Sequence, residues 1–500
     1  MLLNKLLKTH MSKKIIIIGS GFGALSSAAL LARDGHSVTV LEKNPHLGGR
    51  AMTFTNKGYR FDMGPSWYLM PEVFQKYFAL FGEKVESSLT LKALDPMYRM
   101  YFGPHEKIDI VRDLKKNLDT FESFEKGAGA RIQEYLKGAE EQYNIAINHF
   151  LYQHFDSVWD FLKPELAQAG RKAHVFQNLE KHISNYTSDD RLKKILGYTM
   201  VFLGGAPSNT PALYSLMSHV DYNLGVFYPM GGFGALVDRF VTLGKKLGVT
   251  YTTSCPVEKI VTEKGQATGV ETSKGFIPAD IIISNADYHH TEMSLLAPQD
   301  RMFNEKYWEK RTLAPSAYII HLGLSKRVPG LLHHNLMLTH DWQKHFDQIF
   351  DKPSWPEQPS YYVCCPTKTD STIAPKGCDI LFVLVPVASG LEDSQEIRNS
   401  YYEKIMTDLE MHIGAPIRDS IVTKRIYSHQ DFTADFNAYK GTALGLAHTL
   451  RQTAILRPPS KSKKVQNLYY VGQFTQPGIG VPICVISGQL VYERIIKNIT

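Results

Sequence analysis

The stretch "IIIIGSGFGALSS", Ile15 to Ser27, decides the fold of this chain. Four isoleucines lead straight into Gly19, Gly21 and Gly23, and small residues suited to a closely packed helix follow. β-Branched residues favour a buried strand, and glycines permit a turn tight enough to reverse the chain into a helix. The pattern predicts a strand over 14–18, a helix over 22–33 stopped by Asp34-Gly35, and a second strand, "SVTVLE", ending at Glu42. In such a βαβ unit Gly19 and Gly21 bring the backbone close to a pyrophosphate, whose charge meets the free amides and positive dipole of the helix start. Ala24 takes the third small position of the GxGxxA fingerprint, where helix and strand pack closely. Glu42 is placed to accept hydrogen bonds from an adenosine ribose. A 2′-phosphate would prefer a cation there, and Lys43 next door leaves that choice open. On its own the unit admits NAD, NADP or FAD.

The 500 residues are enough for about two to four domain-sized units. Hydrophobic residues at 43% and charged residues at 21% are ordinary globular values, which argues against disorder. The excess of 56 Lys and Arg over 49 Asp and Glu suits an anionic surface but lacks the concentrated patch of a nucleic-acid binder. Five cysteines, with no CxxC pair, argue against a disulfide framework or a zinc site and for a reducing, cytoplasmic compartment. The apolar run of "MLLNKLLKTH" is too short for a signal-peptide core, and Met11 is a second candidate start. The longest apolar window, 15–32, is broken by three glycines and three serines, so no bilayer span is expected.

Strand patterns return after "YPMGGFGALVDRFVTLGKKLGV" (Tyr228 to Val249), where a helix follows Gly231-Gly232, and the last forty residues read strand, glycine-rich turn, helix. The expected division is a discontinuous dinucleotide domain of 12–75, 225–300 and 456–500, a helical region of 76–224, and a mixed α+β domain of 301–455.

Three further stretches select the dinucleotide. They are "LGGR" (Leu47 to Arg50), "FDMGPSWY" (Phe61 to Tyr68) and "NLYYVGQFTQPGIGVPICVISGQ" (Asn467 to Gln489). With "PVEKI" (Pro256 to Ile260) and "ADIIISNAD" (Ala279 to Asp287), in this order, the chain from Lys13 to Arg494 resembles the bacterial-type phytoene desaturases. These belong to the carotenoid and retinoid oxidoreductases of the flavin amine oxidase-like superfamily. The resemblance implies an α/β fold: a Rossmann-like FAD-binding domain, an inserted α+β substrate domain and a helical membrane-facing region. It implies FAD as cofactor, with Gly19, Gly21, Gly23, Ala24, Gly49 and Arg50 at the diphosphate, Glu42 and Lys43 at the ribose, and Val257 on the adenine side. Asp62, with Gly64, Pro65 and Ser66, would form the turn that passes beside the flavin ring. Gly472, Gln473, Gly480, Val481 and Pro482 would build the ring end, where a helix start offers amides to oxygens that gain charge on reduction.

The implied reaction removes two hydrogens from adjacent saturated carbons of a long apolar polyene, phytoene carried stepwise toward lycopene, by hydride transfer to the flavin. Such chemistry needs a dry tunnel, and no metal-ligand spacing or Ser/His/Asp set is found. The pairs His289-His290 and His333-His334, with His429 and His448, are read as ordinary strand and loop residues, adjacent histidines pointing different ways. Arg425, Asp431 and Lys440 are weaker candidates for a charge near the ring. The aromatic stretch 140–165 is a candidate membrane-surface element, giving a peripheral protein on the inner face of the cell membrane. Open alternatives are another polyene (dehydrosqualene, a retinoid), an amine oxidase-type enzyme, and a non-catalytic prenyl-chain carrier of the Rab escort or dissociation-inhibitor type.

Overall fold

The computed structural model describes residues 12–499 apart from 158, 161–176 and 339–340. Its organising layer is a five-stranded parallel sheet. The isoleucine run forms β1 (Lys14–Ile18), and the glycine turn leads into α1 (Phe22–Arg33) and back to β2 (Ser37–Leu41), as the sequence pattern predicts. Beyond these lie α2 (Gly232–Lys246), β3 (Thr250–Thr252), β4 (Ile281–Ser284), β5 (Leu468–Tyr470) and α3 (Val481–Ile499). The strand order is β5-β4-β1-β2-β3, so β1 is central, with Ile17 opposite Val40 on one side and Ile283 on the other. Both faces are covered, which explains the near-continuous apolar runs. Helix α1 is buried from Phe22 to Ala32, and the close approach of α3 is permitted by Gly488, whose missing side chain leaves room for the Gly23 carbonyl.

The second large sheet has seven strands. In spatial order they are Ile421–Tyr427, Ser316–Leu324, Asp379–Val387, Tyr361–Cys364, His334–Met337, Tyr98–Tyr101 and Lys107–Ile110. All neighbours are antiparallel except His334–Met337 with Tyr98–Tyr101. One face, with Tyr318, Ile320, Val363 and Val383, packs on Tyr402, Ile405 and Leu409 of the helix Gln395–Ile413. By the two-residue period of a strand the alternate side chains, Ala317, Ile319, Leu336 and Leu384 among them, point the other way, toward the interior cavity.

One feature departs from the sequence pattern. Residues 98–110, placed by patterning in a helical region, are a hairpin on the edge of this sheet. Among the described residues no helix is long and apolar enough to cross a membrane. Of the aromatic stretch 140–165, residues 158 and 161–165 lie outside the described residues. The rest continues the helix Ala128–Ile145 through a wide turn (Ala146–Phe150) into a segment that carries Trp159, 75% exposed. The Phe155 backbone is held on both sides by the Gln476 side chain, which ties this segment to the C-terminal glycine turn.

Candidate functional site

The N-termini of α1 and α3 open on one interior cavity of about 840 Å³. Gly19, Gly21 and Gly23 line it from the first turn, and Glu42 and Lys43 from the end of β2. Gly49 and Arg50, then Gly64, Pro65 and Ser66, form further wall, with Val257 and finally Gly472, Gln473, Gly480, Val481 and Pro482. Residues separated by more than four hundred positions thus meet because β5 and α3 return to β4 and α1.

Ala24 is the exception to the expected cofactor contacts. It is wholly buried in the core between α1 and the sheet and does not line the cavity, so its small size serves packing. Its amide donates to Asn285 Oδ1 at 3.1 Å. Asn285 is the residue that sequence reasoning missed. It lies just past β4 in "SNAD", and a side chain at Gly21, Gly23 or Gly472 would collide with it or crowd it. One amide side chain therefore sets how closely three glycines approach, which no local pattern announces.

Glu42 is 4% exposed, and its carboxylate is already organised: Oε2 accepts from the Ser20 amide (2.9 Å) and hydroxyl (2.6 Å), Oε1 from the Asn44 amide (2.9 Å). It keeps acceptor capacity on Oε1, since a carboxylate oxygen takes two bonds. Lys43 Nζ donates to the Ala434 carbonyl (2.6 Å) and Asn437 Oδ1 (3.2 Å), which ties β2 to the helix His429–Phe436.

Arg50 is the polar group whose state points most clearly to a ligand. Its guanidinium lies over the Phe436 ring at 5.2 Å and donates to the Thr442 carbonyl at 3.3 Å, while Nε is buried without a partner. Burial pushes its pKa down, and Asp287 attracts it without contact. A buried cation in this condition is costly unless an anion completes it, and a guanidinium matches a diphosphate. Gln473 Nε2 is likewise buried and unpartnered in the wall. The residues present therefore fit a dinucleotide: a glycine turn, a helix start, an incomplete arginine and a strand-end carboxylate converge on one volume.

Several polar residues singled out in the sequence have structural work. Asp62 accepts from the Phe233 (2.9 Å) and Gly234 (3.2 Å) amides, so it caps α2 from the neighbouring strand. Burial raises its pKa to about 6. Among the histidines, His289 pairs with Glu305, His429 bonds the Ala388 carbonyl, and His448 links the Tyr214 hydroxyl to the Ile479 amide. Arg425, Asp431 and Lys440 do not line the cavity; Asp431 closes a capping box with Ser428 and pairs with Arg398.

The pair His333-His334 corrects the expectation that adjacent histidines diverge. Their ring centroids are 4.4 Å apart, and one ligating atom of each lies within 4.8 Å of the other and of the Cys364 sulfur. Cys364 stands directly opposite His334 on the adjacent strand, so chain spacing could not reveal it. His334 Nδ1 bonds the Tyr362 hydroxyl (2.6 Å), and its ring stacks on Trp67 at 4.2 Å, making it part of the aromatic wall.

Beyond the glycine end the cavity is apolar, lined by Leu69, Met70, Leu203, Leu338, Phe346 and Ile349 among others. The residues 25–496 match the family of flavin containing amine oxidoreductases. The chain is 46% identical over 487 residues to a carotenoid 3,4-desaturase of Haloarcula japonica, covering 97% of this chain and 98% of that one. It is 32% identical to a zeta-carotene-forming phytoene desaturase of Myxococcus xanthus, over 97% of this chain and 94% of that one. An oxidoreductase from Methanosarcina mazei shares the fold, with a TM-score of 0.63 at 19% identity, covering 96% of this chain and 100% of that one. The chain therefore belongs to the flavin containing amine oxidoreductases, and within them to the carotenoid and phytoene desaturases. It is an FAD-dependent oxidoreductase that acts on CH–CH bonds of a carotenoid.

Proposed function

We propose that the glycine end of the cavity binds FAD and that the apolar arm holds a long polyene against it, so that two adjacent saturated carbons are dehydrogenated. The observation that carries this reading is continuity: the polar cradle and the apolar arm are one volume. When bound, FAD supplies the two-electron redox chemistry. Gly19, Gly21 and Gly23 give it close backbone approach, Arg50 neutralises its diphosphate, Glu42 receives the ribose and Val257 borders the adenine. The start of α3, with Gly480, Val481 and Pro482, presents its positive end to the ring, and Gly64, Pro65 and Ser66 border that ring. The aliphatic wall excludes water and grips the substrate by area, which fits a molecule without polar groups.

The finer substrate is either phytoene, taken stepwise toward lycopene, or a carotenoid already desaturated and extended at its 3,4 position. The identity of 46% to a 3,4-desaturase against 32% to a phytoene desaturase favours the latter. Expressing the chain separately in cells that accumulate only phytoene and only lycopene, and reading pigment absorption, decides between them. Change in neither strain, from protein that carries flavin, would refute carotenoid desaturation. We further infer peripheral attachment to the inner face of the membrane through the segment that displays Trp159. Salt and alkali washing are expected to release the protein, and extraction only by detergent would refute this.

A further inference from the structure

We propose that the Asp221 carboxylate, reached from the cavity through the Tyr198 hydroxyl, receives the proton that the substrate loses during desaturation. The inference rests on the desaturase reading and adds a group that no motif identified.

Asp221 lies in a wide, π-helical turn (Val220–Leu224), a distortion often found at functional sites. It is 2% exposed. Its Oδ2 accepts from the Tyr98 hydroxyl at 2.6 Å and the Tyr198 hydroxyl at 2.9 Å, while Oδ1 is buried without a partner. The titratable groups facing it are Tyr98 from the strand next to the sheet edge, Tyr198 from the turn Tyr198–Leu203, and Tyr222 beside it. His219, two residues earlier, is occupied by Asn223 and the Tyr143 ring. No cation pairs with the carboxylate among the described residues. Burial raises its pKa to about 7, where it exchanges a proton readily at working pH.

A connection to the substrate space is present. Tyr198 lines the cavity, and Trp67, also in the wall, lies 5.3 Å from the Tyr98 ring and 6.2 Å from that of Tyr198. Converting two adjacent saturated carbons to a double bond removes one hydride and one proton. The hydride, with its electron pair, goes to the bound FAD. The C–H electron pair on the neighbouring carbon becomes the π bond, and its proton passes to the Tyr198 oxygen as the Tyr198 O–H proton moves to Asp221 Oδ2. Asp221 ends the step as a neutral acid, and the proton passes to solvent water before the next turnover. Tyr198 is the group in the substrate space, and Asp221 is the positioning residue behind it.

A purely structural Asp221 would hold the tyrosines equally well as asparagine, so Asp221→Asn separates the two roles. Tyr198→Phe keeps the carboxylate and its bond to Tyr98 but breaks the path. FAD-loaded wild type and variants are mixed anaerobically with carotenoid in phosphatidylcholine vesicles, and flavin bleaching is followed against pH. Both variants are expected to bleach at least about a hundredfold more slowly. They are also expected to lose the wild-type rise in rate with pH near 7. An independent reading comes from infrared spectra of the resting holoenzyme, where a protonated carboxyl C=O band is expected to titrate near pH 7 and to be missing from Asp221→Asn. If Asp221→Asn fails to fold, Tyr198→Phe decides. Variants that bleach at the wild-type rate with an unchanged pH limb overturn the proposal, as does absence of the infrared band. A wild type that bleaches with no carotenoid refutes the desaturase reading instead.

Discussion

Replacing Gly488 by alanine tests the packing on which the cofactor cradle depends. A Cβ at this position of α3 would sit 2.6 Å from the Gly23 carbonyl oxygen and 2.7 Å from Ser26 Cβ and Oγ, where ordinary contact begins near 3.4 Å. Helices α1 and α3 must therefore separate by roughly 0.8 Å, the difference between 3.4 and 2.6 Å. That movement stretches the hydrogen bond from Ser26 Oγ to the Val485 carbonyl, 2.9 Å in the native packing, past its useful range. Overpacking costs about 1–3 kcal/mol and the lost bond about 1 kcal/mol. The higher helix propensity of alanine returns roughly 0.5–1 kcal/mol. The net expectation is a loss of about 1–3 kcal/mol in urea unfolding. Because Gly23 lies at the start of α1, FAD affinity is also expected to fall about tenfold or more by fluorescence titration, a change equivalent to roughly 1.4 kcal/mol. Gly138 is the control: it lies within the helix Ala128–Ile145, where a Cβ would meet nothing within 4 Å. Gly138→Ala is expected to stabilise by about 0.5–1 kcal/mol and leave FAD binding unchanged. Gly488→Ala protein with wild-type stability and wild-type FAD affinity would refute the reasoning.

Arg50→Gln removes the buried cation but keeps a hydrogen-bonding side chain, and FAD affinity is expected to fall by about tenfold or more in equilibrium dialysis; unchanged affinity would remove Arg50 from the diphosphate site. Asp62→Ala uncaps α2 and is expected to lower stability by about 1–2 kcal/mol, while folded protein still takes up FAD. Colourless but fully folded Asp62→Ala protein would show that the carboxylate serves the flavin directly. Asp221 makes stability depend on pH with a definite sign. Its pKa is about 7 in the native state and 3.8 at its ordinary value, so the native state holds the extra proton and loses stability as pH rises through this interval. The full difference is roughly 4 kcal/mol. Thermal midpoints of Asp221→Asn are therefore expected to exceed those of the wild type most at pH 8, with the gap narrowing toward pH 5; a gap that widens as pH falls would reverse the assignment.

Local chemistry was legible in the sequence. The isoleucine run, the glycine turn and the helix Phe22–Arg33 follow from branching, backbone freedom and small-residue packing, and the structure has them in the expected places. The helix start after Gly480 was equally plain. Contacts made across elements were not. Asn285 matters because three glycines from two distant turns converge on it. Asp62 reads as part of a cofactor turn, yet its carboxylate faces a helix start some 170 residues further on. Cys364 meets His334 only through strand register. The hairpin 98–110 was hidden because short strands interrupted by Gly103 and Pro104 carry too little alternation to outweigh the helical stretches around them. Asp221 sits in "HVDYNLGV" with nothing to distinguish it from a surface aspartate until the fold buries it among tyrosines.

The central sheet is assembled from four separate stretches of chain, and its last strand, Leu468–Tyr470, comes within about thirty residues of the end. This has a consequence for synthesis on the ribosome. The strands Lys14–Ile18 and Ser37–Leu41 emerge early, but their partner from the far end is translated only after nearly all the rest. At about 5–20 residues per second, the roughly 430 intervening residues leave the early strands waiting some tens of seconds. During that time the apolar face of Phe22–Arg33 lacks the helix Val481–Ile499 that covers it. Until that helix is made, the early strands and Phe22–Arg33 are open to chaperones, and the glycine cradle closes only once Val481–Ile499 has left the ribosome.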